Sequence, residues 1–359
     1  MISLFMHLAQ GQCAPLDVKE SNRMLPGKFP PDVLERLVFT HLGRSDPDLV
    51  LGPGIGQDAS LIRIGNRVIV ASTDPITGSI EDIGWLAVHI NANDVATFGV
   101  APRWFLTSIM LPVGSTAAEV GRIMSQIDSA AKMLGITVAG GHTEITEGIE
   151  KPIVAGFMLG ETSEGDYVTS SGAQPGNAIV MTKTAGIEGT AILAAEGREV
   201  LSKEIDVDVL DEALALRSQI SVVSEGLSAF KTGHLTAMHD PTEGGLAGGL
   251  HELCDASGVG FEVEMDRIPI HHTTKLLCDA IDVNVLELIS SGCMLMTCDS
   301  NHVDDVIAAI ESENVQATIL GRILEDKEKR LIHSEGAAMQ LARPSTDALW
   351  GALKKVNPP

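Results

Sequence analysis

Aromatic side chains make up only 3% of the 359 residues, so the cores must be assembled from Ala, Val, Ile, Leu and Met. Basic residues are also short, 25 Lys and Arg against 48 Asp and Glu, which leaves a formal charge of −23. A surface that acidic repels a nucleic-acid backbone and argues against broad DNA or RNA binding. It does not exclude ATP, because Mg²⁺ neutralises both a carboxylate site and a triphosphate. No apolar run approaches the ~20 residues of a membrane span. The opening Met1 to Ala9 lacks the basic start of a signal peptide and reads as a tail. The cysteines, Cys13, Cys254, Cys278, Cys293 and Cys298, are scattered, odd in number and contain no CxxC pair. That pattern favours reduced thiols in a cytosolic protein over a disulfide framework or a zinc site, with Cys254, Cys293 and Cys298 as small core hydrophobes. His271-His272 shows no matching ligand in the sequence and reads as a turn or surface pair.

What the chain does have is length for two domains and 36 glycines, many of them beside acidic residues. The pattern predicts an irregular arm over 1–30, one domain over 31–165 and a second over 172–345. A Gly-, Ser-, Asp- and Pro-containing stretch at 161–177 separates the two. Strands and helices alternate with antiparallel turns, so the class is α+β. Particular expectations are a hairpin at Gly65-Asn66, amphipathic helices over 82–99 and 117–134, and a strand from Ile136 that ends in a Gly140-Gly141-His142 turn.

The acidic motifs are Gly54-Ile55-Gly56-Gln57-Asp58-Ala59, Ser72-Thr73-Asp74-Pro75, Asn91-Ala92-Asn93-Asp94-Val95-Ala96, Gly140-Gly141-His142-Thr143-Glu144 and Asp240-Pro241-Thr242-Glu243-Gly244-Gly245-Leu246. Magnesium wants hard oxygen ligands, and phosphates want N–H groups freed by glycine. The first motif is neither a Walker loop nor a dinucleotide fingerprint, and alone it and Asp74 read as turn residues. Asp94 lies between Ile90 and Phe98 on the apolar side of its helix. A carboxylate there must be metal-bound or hydrogen-bonded, and both readings stand. In the last motif Thr242 is a candidate N-cap, and Gly244-Gly245 would let N–H groups approach an anion. Asp240 and Glu243 would hold a metal on the same phosphates, the alternative being a capped helix with an acidic first turn.

In order and spacing these motifs, with Gly99-Val100-Ala101-Pro102, Ser291-Gly292 and Ile319-Leu320-Gly321-Arg322-Ile323, resemble the superfamily of aminoimidazole ribonucleotide (AIR) synthetase, HypE, selenophosphate synthetase and thiamin-monophosphate kinase over roughly residues 25–325. The resemblance implies an N-terminal domain whose sheet forms a barrel across a homodimer and a C-terminal ferredoxin-like α+β sandwich. It implies ATP and Mg²⁺ between the domains. Asp58, Asp74, Asp94, Asp240 and Glu243 would be metal ligands. Gly56, Lys28, Asn91, Gly140, Gly141, Thr242, Gly244 and Gly245 would face the nucleotide. Asp94, His142 and Glu144 would be catalytic. The implied reaction is phosphoryl transfer to an amide, carboxamide or phosphate oxygen of a small-molecule or protein acceptor; the alternative is a non-catalytic nucleotide-binding assembly factor in hydrogenase or metallocentre maturation. Ile83 to His89 is most similar to the HypE and AIR-synthetase-related branch. The Pro-Arg-Ile-Cys ending of HypE is absent from this sequence, Gly11-Gln12-Cys13 only echoes selenophosphate synthetase, and Gly-Gly-His-Thr-Glu departs from the kinase pattern.

Overall fold

A computed structural model describes residues 24–77 and 79–356, so most of the expected arm, with Cys13, lies outside the described residues. Residues 31–38 form a short helix, α1 (Pro31–Val33), that runs into a π-helical turn. The first sheet contains β1 (Leu49–Leu51), β2 (Ser60–Ile64), β3 (Arg67–Ile76), β4 (Pro102–Pro112), β5 (Thr137–Thr146) and β6 (Ile153–Ser163), in the order β1-β2-β3-β6-β4-β5. Gly65 takes a φ of 62° at the β2–β3 hairpin, as a two-residue connection requires. Helix α2 is Ile83–Ala96 and α3 is Ala117–Leu134. The parallel pair β4–β5 of this sheet is joined by the crossover of α3. Thr116 and Glu119 form a reciprocal capping box at its start, and Gly135 closes its end with a φ of 68°.

The second half builds a seven-stranded sheet from β7 (Ala178–Thr182), β8 (Leu235–His239), β9 (Gly260–Glu264), β10 (Leu295–Cys298), β11 (Ala317–Leu324), β12 (Arg330–Ser334) and β13 (Ala337–Gln340), ordered β13-β12-β9-β11-β7-β10-β8. Its helices are α4 (Ile187–Glu196), α5 (Arg198–Leu201), α6 (Val207–Ala215), α7 (Val223–Phe230), α8 (Gly245–Ser257), α9 (His272–Ala280), α10 (Val303–Glu311) and α11 (Ala348–Val356). On one face of the sheet, Leu246, Leu250 and Leu253 of α8 pack on Ile179 and Leu295. On the other, Ala229 of α7 and Val306 and Ile310 of α10 pack on Val180 and Met296. Strand β7 is therefore buried on both sides and has no polar alternation. A separate apolar cluster joins α4, α6, α9 and α11.

Two architectural expectations are corrected. The first sheet is open rather than part of a barrel closed across a dimer. Its edges are β1 and β5, and a three-residue β1 with irregular register offers too little backbone to close against a ten-residue β5. The second sheet is not one half of a two-layer sandwich, because helices cover both of its faces. Both units are α+β with mixed sheets. No helix among the described residues is long and apolar enough to cross a membrane. Cys254, Cys278, Cys293 and Cys298 are free and buried, and burial pushes the first three thiols up to about 12.

Helix α2 sits where everything meets. It packs on β3 and β6, on α3, and on α7 of the second half. It is buried on all sides rather than along one stripe, which is why it is hydrophobic almost all round. The polar residues it carries are thereby forced to find partners. Asn93 does so across the join, donating to the Ile220 carbonyl (2.9 Å) and accepting the Val222 N–H (2.9 Å). His89 does not: it lies against Trp85 with neither ring nitrogen hydrogen-bonded. Burial first, then Lys183, lowers its pKa to about 4.

The unfolded chain takes up a proton on this ring near 6.5, so between there and about 4 the unfolded state holds more protons than the native one. Stability is then full above the unfolded value and falls as pH drops through that window, by up to about 3 kcal/mol. The urea midpoint should drop between about pH 7 and about pH 5, and His89→Leu should shrink that drop, leaving the share of His251, which is depressed in the same direction. An unchanged difference in the Leu variant would show that His89 plays no part.

Candidate active site

Five segments bring carboxylates to one place between the two sheets. The loop 54–58 carries Asp58. Gly56 has a φ of 72°, and a Cβ there would run into the Glu252 carbonyl of α8. Glycine at 56 thus serves close approach of this loop to the second half. Asp74 lies near the end of β3 and is gripped through its backbone by Asn91, whose Oδ1 accepts the Asp74 N–H (2.8 Å) and whose Nδ2 donates to the Asp74 carbonyl (3.2 Å). Asp94 is one helical turn beyond Asn91 and is buried with the rest of α2. Asp240 follows β8 and is 1% exposed. Glu243 and Glu252 stand before and on α8.

Half of this acid is balanced by a chain of alternating charge. His239 places Nδ1 2.8 Å from Asp58 and Nε2 3.2 Å from Glu252. Burial alone would lower its pKa, but Asp58 and then Glu252 outweigh burial and raise it to about 10, so the ring is an imidazolium at neutral pH. Glu252 also accepts from Lys28 Nζ at 2.9 Å. Burial opposes its charge, yet Lys28 and His239 hold it below the usual carboxylate range. The Lys28 backbone N–H donates to Glu243.

The other half is not balanced. Both oxygens of Asp240 are buried with no hydrogen-bond partner. Burial and then Asp58 push its pKa well up. Burial, Asp74, Asp240 and Asp58, in that order, do the same to Asp94. Asp74 rises to about 6 through burial, against the pull of Lys28. Buried like charges raise one another's pKa, and a bound cation reverses that logic. The unpaired oxygens of Asp240 lie in one electrostatic cluster with Asp58, Asp74 and Asp94, and carboxylate oxygens are the donor type that Mg²⁺ prefers. Asp58, His239 and Asp240 also offer atoms within 4.8 Å of one another. Both nitrogens of His239 are engaged by carboxylates, so its ring offers no free ligand atom.

Several expected positions play other parts. Strand β5 runs straight through Gly140, Gly141 and His142 instead of turning there. His142 pairs with Ser108 and Glu144 with Met110, while Asp74 shares its row with Gly156, Thr107 and Gly141. Successive side chains alternate faces, so His142 and Glu144 project from the face opposite Asp74. They are exposed and bond each other at 3.2 Å. Three strand spacings also separate Asp74 from Gly141, roughly 14 Å. Asn91 spends its amide on the Asp74 backbone and on Ala87, which makes it a bracket. Thr242 is not an N-cap; that place is Gly244, with a φ of 85°. The Gly244 N–H is taken by Asp347 (2.7 Å) and the Gly245 N–H by the Thr242 carbonyl (3.0 Å). Neither is free for a phosphate. His239, Glu252 and Asp347, and also Glu188, whose pKa burial raises to about 7, are not among the residues expected from the motifs. His239 precedes Asp240 directly, and Glu252 stands on an otherwise apolar helix face; both were visible signals.

Beside the cluster lies a cleft of about 370 Å³ walled by Phe29, Pro31, Ile55, Gln57, Glu243 and Thr346, among others. It is concave, partly apolar and flanked by charge, as small-molecule sites are. A cation bound by the aspartates should raise the melting temperature of the protein in millimolar Mg²⁺. Asp240→Asn removes one buried negative charge. That variant should melt several degrees higher than wild type in chelator and gain little from Mg²⁺. Equal Mg²⁺ stabilisation of both proteins would remove Asp240 from the donor set.

Comparison with known proteins gives the family. Residues 56–162 match the family model described as AIR synthase related protein, N-terminal domain, and 174–334 match its C-terminal domain. Carbamoyl dehydratase HypE of Cupriavidus necator is 28% identical over 287 residues, 77% of this chain and 78% of that protein. The HypE of Rhizobium leguminosarum bv. viciae is 26% identical over 280 residues, 76% of this chain and 78% of that one. A chain of the HypE-HypF complex superposes with a TM-score of 0.71 at 21% identity, covering 87% of this chain and 99% of its own. HypE in complex with ATP gives 0.64 at 21% identity, covering 87% and 94%. The chain belongs to the AIR synthase-related superfamily and sides, within it, with the HypE branch.

Proposed function

We propose that this protein binds a magnesium–ATP complex between its two sheets and transfers the terminal phosphoryl group to an amide, carboxamide or phosphate oxygen of an acceptor. The observation that carries the reading is the buried, partnerless carboxylate of Asp240 set against Asp58, Asp74 and Asp94. Those four residues would hold Mg²⁺, and the ion would neutralise charge on the phosphates and on the oxygen that leaves. Lys28 sits at the mouth of the cluster with its ammonium on Glu252, positioned to meet a phosphate that enters there. Glu252 and His239 keep Asp58 and Lys28 in place. Asn91 fixes the backbone of Asp74, so the carboxylate is presented without a loop having to order. Catalysis of this kind is positioning and charge neutralisation rather than covalent chemistry.

Support for a carboxamide as acceptor comes from the relatives named carbamoyl dehydratase, and support for ATP from the HypE structure that holds it. The HypE-HypF complex favours a second reading, a nucleotide-bound partner in assembly without turnover. A homodimer remains part of the proposal, without barrel closure. The face of the first sheet away from α2 carries the half-exposed Leu106, Met110 and Leu159 and the exposed Phe157, and light scattering reads the mass.

The deciding measurement is ADP release with ATP alone and with carbamoyl- and carboxamide-bearing acceptors. Wild type should turn over with Mg²⁺. Asp94→Asn should lower kcat at least about a hundredfold by removing a ligand to the charge that develops. Saturable MgATP binding with no ADP from any acceptor would leave the assembly reading standing instead.

A further inference from the structure

The adjacent His271-His272, without a partner in the sequence, acquires one in the fold. Glu212 of α6 reaches the start of α9, placing Oε2 3.1 Å from His272 Nε2 and Oε1 3.8 Å from His271 Nε2. Each ring therefore turns the same nitrogen toward the same carboxylate. The three ligand atoms lie within 4.8 Å of one another. The His271 ring is also anchored from behind: its Nδ1 is 2.8 Å from Thr273 Oγ1. Nδ1 also accepts the Thr273 N–H (3.4 Å) as the cap of α9, so a cation bound at Nε2 would send the ring proton to Nδ1, which would then donate to the Thr273 hydroxyl, the arrangement of histidines that ligate metals. We propose that Glu212, His271 and His272 form a surface site for a borderline divalent cation of the Zn²⁺ or Ni²⁺ class, distinct from the oxygen-only site between the sheets.

Ring geometry separates this cluster from the molecule's other histidine pair. His234 and His302 stack at 3.9 Å with an interplanar angle of 0° beside Asp305. A lone pair lies in the plane of its ring, and parallel planes share no point where one ion could sit. His271 and His272 are tilted by 38° with centroids 4.7 Å apart, so their planes intersect. Ligand atoms about one tetrahedral ion stand roughly 3.4 Å apart, which asks these side chains to close by about an ångström. Their exposure leaves that movement open, since the Glu212 and His272 side chains are 49% and 60% exposed. The helices beneath are fixed: Leu210 and Ala213 of α6 and Leu277 and Cys278 of α9 belong to one buried cluster. Imidazole and carboxylate together select Zn²⁺ or Ni²⁺ over Mg²⁺, whereas carboxylates alone suit Mg²⁺.

The test is equilibrium dialysis of the full-length protein against Zn²⁺ in excess Mg²⁺, with melting temperature recorded in parallel. Wild type should hold one Zn²⁺ more per chain than the double variant Glu212→Gln, His272→Gln, and each single variant should weaken that binding at least about tenfold. Because the site ties α6 to α9, Zn²⁺ should raise the melting temperature of wild type and not of the double variant. Both substituted side chains are exposed, so the variants should fold, and a matching circular-dichroism melt in chelator checks this. MgATP binding should not change. Equal Zn²⁺ uptake by wild type and the double variant, or no saturable uptake by wild type, overturns the assignment.

Discussion

Buried negative charge is the constraint around which this molecule is arranged. Asp58, Asp74, Asp94, Asp240 and Glu252 come from segments far apart in the chain, and the cations set directly among them are His239 and Lys28. A protein can hold such a set only by pairing some members and leaving the others to a ligand, because an isolated carboxylate in a low-dielectric site neutralises instead. The division is visible. Asp58 and Glu252 share the imidazolium of His239, and Glu252 takes Lys28 as well. Asp74, Asp94 and Asp240 have their pKa values raised, each by burial first. The paired half is architecture, and the unpaired half is the part on which the proposed cation site rests.

The same constraint explains why α2 is built as it is. A helix packed on a sheet, on α3 and on α7 has no solvent side on which to place polar residues. Its Asn91, Asn93 and Asp94 are therefore interior groups with defined tasks: one holds the Asp74 backbone, one clamps the second half through Ile220 and Val222, and one faces the acid cluster. Buried polar groups that are fully satisfied favour one arrangement over its neighbours. Sliding α2 by a residue would break the Asn93 bonds and lift Asn91 off Asp74 together.

Local signals were readable and long-range ones were not. The Gly65 hairpin and the 117–134 helix follow from spacing and turn chemistry alone. The acid cluster was legible as a group because its members fall in short motifs, most of which contain glycine or asparagine, and because the motif order resembles a known superfamily. The partners of that cluster were harder to see. His239 earns its importance from Asp58, and the fold, not the spacing, puts them 2.8 Å apart. His142 and Glu144 failed for a related reason. A Gly-Gly pair reads as a turn, but β-pairing with β4 carried the strand through it, and strand alternation then set both side chains on the far face. Thr242 and Gly244-Gly245 looked like an anion cradle until Asp347, beyond the expected domain end, took one of the N–H groups.

Lys28 ties these lines together. It belongs to a segment that precedes the first sheet, yet its N–H meets Glu243 and its ammonium meets Glu252, both at α8 of the second half. Two residues earlier, the Pro26 carbonyl accepts from Thr346 at 2.8 Å. Residues 26–31 thus form a strap anchored to the second half. The strap, the 54–57 loop and the start of α8 are three walls of one cleft. Any ligand that fills the cleft contacts the strap and α8 at once, and one that carries negative charge competes with Glu252 for the Lys28 ammonium. Losing Lys28 would strip Glu252 of one of its two counter-charges and leave His239 shared between two carboxylates alone. Grip on an anionic ligand and the balance of charge in the join between the halves therefore rest on the same ammonium.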